Sequence, residues 1–391
     1  MLLKSDWDMI SKATLQLEEY IQKENYKGYD PYDALRSPVF RLPFLKNSSH
    51  ARFFAQQLVK RFPINLRPVL GIQKGTSPVT LALSIQAYSN NIFLFPEEKI
   101  KYEEKINKLI QQLEKLISPG FSGACWGYEF DWESRYAKIP AYGPTVVATG
   151  FVTNALFNLY RATGNKKALE LCVSSTRFIL NNLNRTYDEA NQNFCFSYSP
   201  FDHEMVFNAS MKGARTLAQV YSVTKDEPLK TEAQKAVAYV MNHQNENGSW
   251  IYSKRKTGGW IDNYHTGYVL DCLDEYGKCT GDKSFQAHLE KGFSFYKNNF
   301  FTEEGIPKFY DRKTYPVDCT AAGQSLLTLT RFGETEKAGK VAVWMIKNMQ
   351  AEKGYFYFRK HRNYTDKTSF MRWSNAWMFV GLTELGRKMK K

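Results

Sequence analysis

One helical pattern returns six times along this 391-residue chain, and that return limits the folds open to it. Each copy is an apolar helix rich in small residues that starts just after an acidic, aromatic or proline-containing loop. The copies are TSPVTLALSIQAY from Thr76, GPTVVATGFVTNALFNLY from Gly143, and EMVFNASMKGARTLAQVY from Glu204. They continue with IDNYHTGYVLDCLDEY from Ile261, PVDCTAAGQSLLTLTRF from Pro316 and RWSNAWMFVGLTELG from Arg372. After the second, the starts are about 55–61 residues apart.

A second kind of helix lies between successive starts, as in KKALELCVSSTRFILNNL from Lys166 and PLKTEAQKAVAYVMNHQ from Pro228. KSFQAHLEKGFSFYKNNF from Lys283 and TEKAGKVAVWMIKNMQ from Thr335 are of the same kind. Apolar residues recur at i, i+3, i+4 and i+7 with Lys or Glu opposite, the signature of a helix with one wet face. The first set is apolar on most sides and reads as buried. Aromatic, strand-like segments precede the inner helices: CWGYEFDW, FCFSYSPFD, GSWIYSKRKTGGW, GIPKFYDRKTYP and GYFYFRKHRNY. The expected fold is all-α, an (α/α)6 toroid of alternating inner and outer helices. Its short aromatic β-hairpin loops gather at one funnel mouth, and an open α-solenoid is the alternative. Residues 76–391 are expected to form the toroid. Residues 1–75, with helical stretches at 5–24 and His50–Pro63 flanking a Pro- and aromatic-rich loop, would pack on it as an outer helix and a lid.

Hydrophobic residues make up 43% and aromatics 15%, so a large core is available and disorder is excluded. The net charge of +14 favours an anionic partner: an acidic oligosaccharide, a phosphate-linked glycan, or peripheral contact with an anionic membrane surface. No nucleic-acid-binding signature accompanies it. The six cysteines form no CxxC pair and read as buried free thiols. MLLKSDWDMISK has no apolar h-region and no apolar run reaches spanning length, so a cytoplasmic protein without cofactor or metal is expected.

QNENGSW at Gln244–Trp250 is similar to the short Q-W repeat of triterpene cyclases, within the α/α-toroid superfamily. That superfamily also holds six-hairpin glycosidases, polysaccharide lyases, sugar epimerases and protein prenyltransferases. GYDPYDAL (Gly28–Leu35), IDNYHTGYVL, YPVDCTAAGQ and MRWSNAWM (Met371–Met378) together resemble toroid proteins of bacterial and archaeal surface-polysaccharide gene clusters. The Asp-x-Asp-Asp acid motif of squalene-hopene-type cyclases is missing, as are the zinc sets of prenyltransferases and lanthionine cyclases. The resemblance therefore points to carbohydrate chemistry.

In a toroid every inner helix aims the same end at the mouth, so polar residues at the helix starts should converge. Asp262, His265 and Asp318 are the candidate acid/base groups. Arg372, Arg312 and Lys254 would clamp an anion, and Trp373, Trp260, Tyr264, Tyr315 and Tyr142 would form platforms for sugar rings. Glu129, Asp131 and His203 are further polar candidates, with Glu133 and Arg135 near them. Aspartate is also a preferred N-cap, and a histidine one turn into a helix can be purely structural, so the bland readings of Asp262, Asp318 and His265 stand beside the functional ones. The expectation is a hydrolase, lyase or epimerase acting on an anionic oligosaccharide. A non-catalytic glycan- or lipid-carrier-binding partner is the alternative, and an isoprenoid cyclase the third.

Overall fold

The computed structural model describes residues 3–42, 45, 47–133, 138–188 and 192–390; Arg135 lies outside them. Among these residues are thirteen α-helices. They are α1 (Lys4–Lys23), α2 (Ser49–Arg61), α3 (Pro78–Leu94), α4 (Lys99–Lys115), α5 (Val146–Thr163), α6 (Lys166–Asn182) and α7 (Phe207–Thr224). The rest are α8 (Glu227–Met241), α9 (Asn263–Thr280), α10 (Gln286–Asn299), α11 (Cys319–Arg331), α12 (Thr335–Met349) and α13 (Ala376–Met389). Helices α3, α5, α7, α9, α11 and α13 pack each on the next, and α13 returns to α3. The ring is closed: this is an (α/α)6 toroid. Helix α1 packs on α12 and α13 and takes the outer position of the first pair, through Ile10, Ala13, Leu17 and Ile21 on its buried stripe.

Inner helices are buried over most of their length because their small and apolar residues face neighbours on every side. Three of the six starts are capped by side chains: Thr145 for α5, Asp262 for α9 and Asp318 for α11. Glycines in the left-handed region end α5 (Gly164) and α9 (Gly281). The sixth start differs from the others, since a π-turn over Met371–Asn375 precedes α13 and carries Arg372 and Trp373.

The extended segments are short. β1 (Lys27–Gly28) pairs with β2 (Gly75–Thr76), β3 (Trp132–Glu133) with β4 (Lys138–Ile139), and β5 (Arg185–Tyr187) with β6 (Phe194–Phe196), all antiparallel. β7 (Val317–Asp318), β8 (Arg359–Lys360) and β9 (Thr365–Asp366) form a three-stranded sheet. Their placement explains why aromatic hairpins recur. The first N–H of an inner helix has no partner within its own helix. Here the N–H of Val146 donates to the carbonyl of Tyr198 (3.0 Å), Phe207 to Tyr252 (3.3 Å), Asn263 to Phe309 (2.9 Å) and Cys319 to Phe358 (3.0 Å). Each of these four starts is thus tied to an aromatic residue of the next hairpin, and the ties run along the mouth.

A second repeated device joins the outer helices. The amide of Gln244 donates to the carbonyls of Gly248 and of His288 on α10, both at 3.0 Å. Gln350 does the same to Gly354 and to Ala13 on α1, again at 3.0 Å. The Gln-x3-Gly unit is a staple between the end of one outer helix and the backbone of the next. Its second copy, QAEKGYF, ties the last outer helix to the first.

Across the middle of the ring lies a floor of three rings, Phe151, Tyr268 and Trp377, with centroids 5.1–5.6 Å apart. Lys212 of α7 runs into this layer over Gly150, where a Cβ would come within 2.7 Å of the lysine Cβ. Its Nζ lies 3.9 Å from the Phe151 ring centre and 3.6 Å from that of Tyr268. It has no hydrogen-bond partner among the described residues, and burial brings its amine down to about 7. A lysine whose folded pKa is depressed binds fewer protons than in the unfolded chain between that value and its usual one, so stability rises with pH across the window. We expect urea denaturation to give about 2 kcal/mol more stability at pH 9 than at pH 7, and Lys212→Met to remove the difference.

Candidate active site

The start of α9 builds a hydrogen-bonded carboxylate–imidazole pair at the mouth. Oδ1 of Asp262 accepts the backbone N–H of His265 (3.0 Å), which caps the helix. Oδ2 accepts the ring Nδ1–H of His265 (2.6 Å) and the indole N–H of Trp260 (2.8 Å). Asp262 is buried, so three N–H donors replace its water. In the neutral ring, a donating Nδ1 leaves the lone pair on Nε2, and the ring is partly exposed. An imidazole oriented by a buried carboxylate is a general base with a fixed tautomer.

Rings surround this dyad. Tyr252 packs on His265 at 4.5 Å and stacks on Trp260 at 4.5 Å, while Tyr264 lies 4.2 Å from the His265 ring. Contacts continue from Tyr264 to Trp373 (6.0 Å), to Tyr32 (5.9 Å), to Trp132 (6.2 Å) and to Tyr198 (5.5 Å). The mouth is lined by aromatic faces contributed by the N-terminal segment and several repeats. Burial pushes the phenols of Tyr198, Tyr252, Tyr264 and Tyr268 above their ordinary range, so they stay protonated donors.

Asp318 is engaged on both oxygens. Oδ1 accepts the N–H of Ala321 (3.1 Å) as the cap of α11, and Oδ2 accepts Nε of Arg359 (2.5 Å). It is fully buried, and Arg359 lies between the rings of Phe309 and Phe358. Arg372 donates to Oδ2 of Asp30 (2.6 Å) and rests on Tyr128 and Trp373. Asp30 and Tyr32 belong to GYDPYDAL, whose chain covers one side of the mouth. Arg67, paired with Asp33 (2.7 Å), holds that loop, and Lys60 of α2 donates to the Tyr32 hydroxyl (2.5 Å). Arg36–Glu129 (2.8 Å) and Arg52–Glu133 (2.9 Å) fasten the segment to the second repeat.

The structure brings Asp262, His265, Trp260, Tyr264, Asp318, Arg372 and Trp373 to the mouth. Other candidates stand elsewhere. Arg312 has 89% of its side chain exposed beside Asp311, and Lys254 and His203 also point to solvent. On open loops these side chains keep their water. Asp131 accepts the N–H of Ala141 (2.8 Å) and shapes its loop, Glu129 is spent on Arg36 and the N–H of Thr76, and Tyr142 is half-exposed. Tyr315 is half-buried against the core beside a cis bond to Pro316. Asp30 and Tyr32 lie in GYDPYDAL and Tyr252 in GSWIYSKRKTGGW, so the sequence signal for them is the segment and not the single residue. Among the described residues, no three His, Cys, Asp or Glu side chains are grouped to hold a metal ion, and no helix is long and apolar enough to cross a membrane.

No family model matches the chain, and no curated protein matches it in sequence. Solved structures do match in fold. Cellobiose 2-epimerase from Bacillus thermoamylovorans B4167 aligns at TM-score 0.59 and 13% identity, over 81% of this chain and 88% of that one. An unsaturated glucuronyl hydrolase specific for heparin aligns at 0.60 and 14%, over 98% and 97%. A family 76 α-mannanase of Bacteroides thetaiotaomicron aligns at 0.59 and 11%, over 81% and 87%. What the chain shares with all three is the α/α-toroid fold.

Proposed function

We propose that the mouth is the active site of a carbohydrate-active enzyme that transfers a proton on an acidic oligosaccharide or phosphate-linked glycan, in the manner of an epimerase or lyase. The observation that carries this reading is the Asp262–His265 pair, with Nε2 free beside an aromatic lining. Aromatic faces suit the C–H faces of sugar rings. His265 would take a proton from a sugar carbon next to a carbonyl or carboxylate, and the neutral phenols of Tyr252 or Tyr264 would donate to the oxygen where charge develops. Hydrolysis by paired carboxylates is disfavoured, because Asp262 and Asp318 are both spent on caps and on cationic or N–H partners. The neighbours in fold are named for sugar epimerisation and for glycan hydrolysis, which agrees with a sugar substrate. A place in surface-polysaccharide metabolism is part of the same proposal.

The test is solvent exchange. Uronate-containing and neutral reducing oligosaccharides are incubated with the protein in D2O, and carbon-bound deuterium is read by NMR. Incorporation that His265→Asn slows at least about 100-fold, with binding retained, is the expected result. Release of reducing ends without deuterium would identify a hydrolase, and binding without any turnover would leave a carrier or binding partner.

A further inference from the structure

A cavity lies on the other side of the aromatic floor, toward the C-terminal ends of the inner helices. It measures about 370 Å³ and opens between the exposed residues Phe93, Lys278 and Lys388. Its wall carries many charges, most of them already matched. Arg161 pairs with Glu275 (2.6 Å), Arg331 with Asp274 (2.7 Å) and Glu275 (3.1 Å), and Arg387 with Glu384 (2.6 Å).

Among the described residues, Lys388 stands exposed at the rim without a carboxylate partner, and the two buried cations left without one, Lys212 and Arg215, stand on one face of α7. Lys212 Nζ has no hydrogen-bond partner, and Arg215 uses Nη2 on the carbonyl of Gly150 (2.7 Å) while its Nε has none. Both side chains are more than nine-tenths buried. Opposite them, Asp271 accepts from Gln324 (2.7 Å) through Oδ2, and its Oδ1 makes no hydrogen bond, with Arg331 Nε 3.8 Å away. Buried polar atoms are seldom left unmatched unless something else meets them. Gln86, Asn154 and Asn158 add amides to the wall, and Phe151, Tyr268 and Trp377 close the inner end.

We propose that this chamber binds a small hydroxylated anion, a sugar phosphate or a sugar acid, with its oxyanion on Lys212 and Arg215 and a hydroxyl donating to Asp271. The volume suits one monosaccharide-sized ligand. Cationic donors at one end, a carboxylate acceptor and amides beyond them, and an aromatic wall match the two parts of such a molecule. Burial, with the Arg215 charge beside it, brings the Lys212 amine down to about 7, so an incoming anion would draw a proton onto it. The proposal does not depend on the chemistry at the mouth, from which the floor separates it.

Calorimetric titration of the full chain with glucose 6-phosphate, glucuronate, glucose and inorganic phosphate tests it. Saturable binding of glucose 6-phosphate or glucuronate is expected, the phosphate and carboxylate arms telling the two sources apart. Glucose should bind at least about tenfold more weakly. Lys212→Met keeps the aliphatic stem between the rings, and Arg215→Gln is a second, independent variant. Each should weaken binding about tenfold or more, while His265→Asn leaves it unchanged. The proposal is overturned if neither anion saturates, or if either folded variant binds as tightly as the parent. It is equally overturned if His265→Asn abolishes binding, or if inorganic phosphate alone binds as tightly as glucose 6-phosphate.

Discussion

Asp262→Asn should lower turnover by about 100- to 10,000-fold while leaving the fold intact. Asparagine is as good an N-cap as aspartate, so its amide oxygen can still accept the N–H of His265 and α9 still starts in the same place. The change falls on the ring. In the parent, Oδ2 accepts both His265 Nδ1–H and Trp260 Nε1–H. An NH2 group at that position offers protons to two donors, and the imidazole relieves the conflict by moving its own proton to Nε2. The base then points its lone pair at asparagine rather than at substrate. Urea denaturation and circular dichroism should match the parent, and deuterium incorporation should fall with little change in KM. Parent-like incorporation would remove the dyad from the mechanism.

The second large effect is on stability. Gly354→Ala should cost about 3 kcal/mol, measured as the shift of the urea midpoint. The glycine sits at φ +89°, and a Cβ there would stand 2.4 Å from the carbonyl oxygen of Gln16 on α1. Neither backbone can yield without pulling the Gln350 amide from Ala13, so the cost combines left-handed strain with overlap at the closure of the ring. Gly164→Ala is the control. It has φ +72° with no atom within 4 Å of the added carbon, and should cost about 1 kcal/mol. Equal losses at the two positions would show that the strain, and not the contact with α1, sets the cost.

The fold was legible because its signal is local. Each inner helix announces itself through its own small apolar residues, and each outer helix through its own 3.6-residue stripe. Six copies then leave few ways to bury all those faces. The Asp262–His265 pair was legible for the same reason: a cap and a ring three residues later meet whatever the rest of the chain does. Arg312, Lys254 and His203 carried equally suggestive residue types at similar places, yet solvent takes them. Sequence position relative to a helix start does not say how far a loop leans over the mouth.

What the sequence by itself determined is therefore the repeat, the caps and the chemistry within one helical turn. Only the tertiary structure decided which charges are spent and which remain. Asp318 is neutralised by Arg359 from the next repeat, and Arg372 by Asp30 from the far end of the chain. Lys212 and Arg215 form no ion pair with a carboxylate beside a chamber whose other buried cations are paired. These outcomes depend on contacts between residues up to 342 positions apart, and Coulomb energies fall off over a few ångströms of space, not along the chain. Ring closure brings such partners together, and no local pattern encodes which of them will touch.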